Sequence, residues 1–154
     1  AITKAKASCL EESKISVRSN LPAGPTTRVF KTLQPPVNNP MPPQGYPVYS
    51  YDGKTPQIDP SCFVAPTAVL IGQVTMATNS SVWFHTVVRA DINRIEIGLN
   101  SNIQDGCLLH VTNRHPLIIE DNVTVGHGVI LHGCHVEPNC LIAMGAIVLD
   151  GAHL

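Results

Sequence analysis

Four histidines fall within one short stretch, LHVTNRHPLIIEDNVTVGHGVILH, which runs from Leu109 to His132, and three of them form a candidate ligand set. Those three are His110, His127 and His132. Neutral imidazoles are ligands for zinc, and three of them leave a fourth tetrahedral position for water. Ferrous iron or cobalt(II) would also accept such a set. A zinc ion held this way lowers the pKa of bound water to about 7, so the chemistry in view is attack by an oxygen nucleophile at neutral pH. The bland alternative is three surface imidazoles on a repetitive scaffold. Which reading holds depends on where the backbone puts the rings.

The backbone is set by a period of six. An aliphatic residue, or one Met, recurs at Ile58, Val64, Leu70, Met76, Val82 and Val88. The beat resumes at Ile97, Ile103 and Leu109, at Ile119, Val125 and Leu131, and at Val136, Ile142, Val148 and Leu154. Four residues after most of these stands a smaller one, such as Ala68, Ser80, Thr86, Ser101, Cys107, Cys140 or Ala146. One large and one small inward position per six residues, with turn formers between, describe a hexapeptide β-helix. Three hexapeptides close a coil, so every third repeat shares a face. Repeats opening at Leu70, Val88, Leu109, Leu131 and Val148 then place Ile71, Arg89, His110, His132 and Leu149 in one outward column. His110 and His132 become rung neighbours, about 4.8 Å apart along the backbone. His127 belongs to another column, with Phe84, Asp105 and Met144. A single chain would struggle to converge the three rings, whereas a three-fold oligomer could bring His127 of one copy to the pair on the next.

The rest of the chain is consistent with that core and adds an arm. Nine of the thirteen prolines precede Gln57, and a run of them spans Pro35–Pro43. Proline removes donors and extends the backbone, so residues 1–55 are expected to be an irregular Pro-rich arm and residues 56–154 the β-helix. A short helix is expected over Ala1–Ser13. A net charge of −1 argues against nucleic acid as an electrostatic partner, and no apolar run approaches the roughly 20 residues of a membrane span. The five cysteines, Cys9, Cys62, Cys107, Cys134 and Cys140, are read as reduced, mostly core residues. Trp83 is expected to pack at an interface or under a terminal helix, and His85 to be a surface or interface histidine.

Trp83, Val88-Arg89-Ala90-Asp91, Asn102-Ile103-Gln104-Asp105, His110, Gly126-His127 and His132-Gly133 together resemble the γ-class carbonic anhydrases. The resemblance covers residues 56–154. It implies an all-β, left-handed parallel β-helix, a homo- or heterotrimer of homologous subunits, zinc at each subunit interface, and reversible hydration of carbon dioxide to bicarbonate. It implies roles for Gln104 in orienting the nucleophile, for Arg89 and Asp91 in supporting the interface, and for an Arg89–Asp105 pair between subunits. Two departures bear on turnover. Ile92 stands where such enzymes carry a glutamate, and the loop Val111–Ile118 contains no carboxylate. His115, in that loop, has a suitable intrinsic pKa for a proton shuttle. Slow or absent turnover is therefore expected.

Three function classes follow. The first is a zinc carbonic anhydrase. The second is a structural subunit of mitochondrial respiratory complex I on the matrix side of the inner membrane, which the basic, Pro-rich arm favours; the alternative location is a bacterial cytoplasm. The third is a hexapeptide acyltransferase, which has no need of three histidines. Leu154 occupies an inward position partway through a coil, so more chain or another polypeptide is expected to cover the last rung.

Overall fold

In the computed structural model the described residues are Ser8–Cys9 and 48–154. Short parallel strands joined by tight corners build three faces around one narrow core. The first face stacks β2 (Val48–Tyr49), β5 (Val69–Met76), β7 (Val87–Ile97), β9 (Leu108–His110), β12 (Ile130–His132) and β15 (Ile147–Val148). The second stacks β4 (Phe63–Val64), β6 (Ser81–Val82), β8 (Asn102–Ile103), β11 (Thr124–Val125) and β14 (Cys140–Ile142). The third holds β3 (Gln57–Ile58), the ends of β5 and β7, β10 (Leu117–Ile119) and β13 (His135–Val136). Among the described residues there is no helix. The fold is an all-β parallel β-helix.

The period of six works because each repeat buries two side chains and turns on a third position. Leu70, Val88, Leu109 and Leu131 are all 1% exposed or less. The small positions fill the corners, and where they carry hydroxyls they tie one coil to the next. Thr86 Oγ1 donates to Gln104 O at 2.7 Å and Ser101 Oγ to Glu120 O at 2.6 Å. Buried hydroxyls bonded in this way avoid the cost of desolvation without a partner. Two of the three corners run in the left-handed backbone region coil after coil, and the third does so at Gly72, Gly133 and Gly151. Of the first two, one is turned by Asn79, Asn100, Asn122 and Asn139, a residue type that tolerates positive φ. The other is turned by Gly106, Gly128 and Gly145, with His85 in the same place one coil earlier.

The thiols lie where a core would put them. Cys107 and Cys134 are buried and Cys62 is partly buried, and burial pushes the Cys134 thiol up to about 12. None of these three is a poised nucleophile. Trp83 is half-buried against Phe63, with ring centroids 5.0 Å apart, and its Nε1–H donates to Ser81 Oγ.

Two expectations about the N-terminal segment change. Ser8–Cys9, expected in a helix, form strand β1, paired antiparallel with Leu141 and Cys140 of β14. An open strand edge recruits any segment able to pair with it, and here the chain's own arm does so. Val48, expected in the arm, already pairs with Leu70 as a rung. A turn at Asp52-Gly53, closed by Tyr51 and Lys54, intervenes before Ile58 and breaks the period of six. The proline run at 35–43 lies outside the described residues.

Candidate metal centre

Register places His110 directly opposite His132, from β9 to β12. Their rings are tilted by 55° with centroids 5.0 Å apart, and His110 Nδ1 lies 2.9 Å from His132 Nε2. Each ring is held from its far side by a carboxylate. His110 Nε2 is 2.9 Å from Asp91 Oδ1, and His132 Nδ1 is 2.5 Å from Asp150 Oδ1. The result is a four-membered chain, Asp91–His110–His132–Asp150, with three nitrogen contacts.

Three contacts need three positive hydrogens or their equivalent, and two neutral imidazoles supply two. If each ring gives its N–H to its carboxylate, the two inward nitrogens face each other as lone pairs at 2.9 Å. A cation between them, either a proton or a metal ion, relieves that opposition. Zinc holds imidazole nitrogens at about 2.0–2.1 Å, which sets two such nitrogens on a tetrahedron roughly 3.3 Å apart. The observed 2.9 Å needs only a few tenths of an ångström of opening. Far nitrogens engaged by carboxylates are also the usual setting of ligating histidines. The donor set therefore fits a metal ion.

Asp91 is itself anchored by an ion pair with Arg89. Its burial works against the charged form, yet the hydrogen bonds from His110 and Arg89 outweigh burial and hold the carboxyl below the ordinary carboxylate range. Asp91 thus stays an acceptor.

His127 is more exposed and lies in a different column, where Gly128 N–H donates to Asp105 O and Gly145 N–H to His127 O. Its Nδ1 is 3.0 Å from Asp105 Oδ2, and Nε2 has no hydrogen-bond partner among the described residues. Among the described residues of one chain, no group of three or more His, Cys, Asp or Glu side chains converges to hold a metal ion. Between the two histidine columns runs an outward apolar column, Val69, Val87, Leu108, Ile130 and Ile147, in which Leu108 and Ile147 are exposed.

The chain matches proteins of known name along this β-helix. No family model matches it. It is 50% identical over 107 residues to a carbonic anhydrase of Geobacillus kaustophilus, an alignment covering 70% of this chain and 59% of that one. It is 47% identical over 104 residues to γ carbonic anhydrase 1, mitochondrial, of Arabidopsis thaliana, covering 64% and 38%. The chain belongs to the γ-class carbonic anhydrase family. A Bacillus cereus crystal structure provisionally described as an acetyltransferase superposes with a TM-score of 0.68 at 48% identity, over 69% of this chain and 62% of that one. The chain thus spans about three-fifths or less of the curated relatives named here.

The remaining candidates from the sequence are distributed around this family frame. Gln104 is partly buried, in the column of Trp83, and its side chain makes no hydrogen bond among the described residues. Arg89 pairs with Asp91 of its own chain. His115 is exposed in a turn closed by Thr112, and Asn93 Nδ2 ties that turn to β7 through Thr112 O. The His115 ring lies over Gly151, and its Cβ lies close to Gly133. Ile92 is exposed on β7. Sequence reasoning missed Asp150. It also missed a second histidine pair on the third face, where His135 lies 2.6 Å from Glu120 and His153 lies 3.0 Å from Glu137. The signal for Asp150 was available, because it follows Leu149, one rung beyond His132 in the same column.

Proposed function

We propose that the chain is a carbonic anhydrase-like subunit that holds zinc between two copies and hydrates carbon dioxide slowly. The observation that carries this reading is the Asp91–His110–His132–Asp150 chain, one hydrogen short, with its two inward nitrogens 2.9 Å apart. His110 and His132 would hold the ion from one copy, and His127 Nε2 would come from the next. Ferrous iron or cobalt(II) would suit the same donors.

The exposed apolar column between the histidines supports a second copy as the occupant of this face, since side chains such as Leu108 and Ile147 gain from leaving water. Cyclic closure of such a head-to-tail contact gives a ring, and a trimer suits a three-faced prism. A bound divalent ion would supply the acidity that makes water nucleophilic near neutral pH. The protein's own groups do the remainder. Asp91 and Asp105 keep the N–H bonds of His110 and His127 turned away from the ion. Gln104, with its amide uncommitted, orients the attacking oxygen. Arg89 fixes Asp91 and would pair with Asp105 of a neighbouring copy. His115, on the exposed loop beside Gly133, carries the proton to solvent.

Ile92 and the acid-free loop support slow proton removal. Stopped-flow hydration of carbon dioxide by the zinc-loaded protein should show low turnover that rises with external buffer concentration. Fast turnover in dilute buffer, unaffected by His115→Ala, would place the proton path elsewhere.

A subunit of respiratory complex I is the second reading, favoured by identity with a relative named mitochondrial and by the basic arm. Among the described residues no helix is long and apolar enough to cross a membrane, so attachment would be peripheral. Comigration with a large membrane complex on native gels would support it. An acyltransferase activity is suggested only by the description of the Bacillus cereus structure, and acetyl-coenzyme A turnover tests it directly.

A further inference from the structure

We infer that Asp150 is a positioning residue of the metal centre. It fixes His132 in the Nδ1–H tautomer, so that Nε2 presents its lone pair to the ion beside His110. This inference rests on the metal-site reading above.

Imidazole in water prefers the Nε2–H tautomer, which would point a hydrogen, and not a lone pair, at His110. The 2.5 Å contact between His132 Nδ1 and Asp150 Oδ1 reverses that preference, because a carboxylate accepts and cannot donate. Charge-assisted bonds of this length are among the stronger ones in proteins. His132 is the ion-pair partner of Asp150 among the described residues, so the carboxylate is not divided between tasks.

The backbone makes room for this contact at a cost. Gly133 follows His132 at φ +52°, in the left-handed region, and a Cβ there would lie 3.0 Å from Asp150 Oδ1 and 2.9 Å from His115 Cβ. A glycine at this corner lets the carboxylate of the next rung reach back to the ring. Asp91 does for His110, from the preceding rung, what Asp150 does for His132 from the following one. The pair is thus clamped from both ends of the coil.

The test uses the whole chain as wild type, Asp150→Ala, Asp150→Asn and His132→Ala. Long-range proton–nitrogen correlation spectra of the metal-stripped protein, at a pH where the ring is neutral, report the His132 tautomer. Competition with a chromophoric chelator reports zinc affinity. Wild type should show Nδ1–H. Asp150→Ala should revert to Nε2–H and bind zinc about 10- to 100-fold more weakly. Asp150→Asn, whose amide oxygen still accepts, should keep Nδ1–H and lose less affinity than the alanine variant. An Asp150→Ala protein that keeps the Nδ1–H tautomer, or binds within about two-fold of wild type, overturns the proposal. Full zinc binding by His132→Ala would instead defeat the metal-site reading itself, so the two failures are distinguishable.

Discussion

Two histidine pairs sit on neighbouring rungs of this β-helix, and only in one do the rings meet nitrogen to nitrogen. On the first face His110 and His132 tilt towards each other, nitrogen to nitrogen at 2.9 Å. On the third face His135 and His153 stack nearly flat, with rings 14° from parallel and centroids 4.6 Å apart. The rung spacing is the same in both. The difference lies in where the carboxylates stand. Asp91 and Asp150 hold the outer nitrogens at opposite ends of the first pair, which turns the inner nitrogens together. Glu120 and Glu137 each take the Nε2 of the adjacent ring, which turns both rings sideways. Adjacent histidines on a ladder are thus not a metal site until something aims them.

That contrast can be broken by removing a ring from each pair. His132→Ala should lose bound zinc, while His135→Ala should retain it in full, as read by metal analysis after dialysis. The next effect concerns the scaffold beneath the rings. Leu131 is fully buried directly before His132, and Leu131→Ala should destabilise the fold by about 2–5 kcal/mol. Chemical denaturation measures this, and an unchanged midpoint would show that the rung does not depend on its core residue.

The carboxylates sharpen the comparison further. Asp91 has its folded pKa lowered from 3.8, so its stabilising contribution is complete above the unfolded value and is lost as pH falls through the lower folded one. The melting temperatures of wild type and Asp91→Asn should therefore converge as the solution is made acidic. A gap that stays constant through the acid range would contradict the assignment. The smallest effect belongs to the other face. Glu120 and His135 are each about two-fifths exposed, and Glu120→Gln should change stability by about 0–1 kcal/mol, with no change in zinc binding.

Much of this was legible in the sequence, for a physical reason. A period of six fixes both what is buried and which residues share a column, so the His110–His132 register follows from counting residues alone. The column Phe84, Asp105, His127, Met144 followed from the same count. What the period could not reach were the places where it is interrupted. Val48 was lost behind the turn at Asp52-Gly53, and the pairing of Ser8–Cys9 with β14 depends on an edge far away in sequence. Asp150 and the pairings of His135 and His153 were missed because side-chain aim, unlike register, is decided by neighbours on adjacent rungs.

The central claim is that the ion is shared between copies, and subunit mixing tests it most directly. His127→Ala and His132→Ala, each expressed alone, should bind no zinc. Coexpressed in equal amounts, they should recover about a quarter of the wild-type zinc, because random mixing reunites an intact His110–His132 pair with an intact His127 at that fraction of interfaces. No recovery in mixed assemblies that form normally, or full zinc in a verified monomer, would contradict the account.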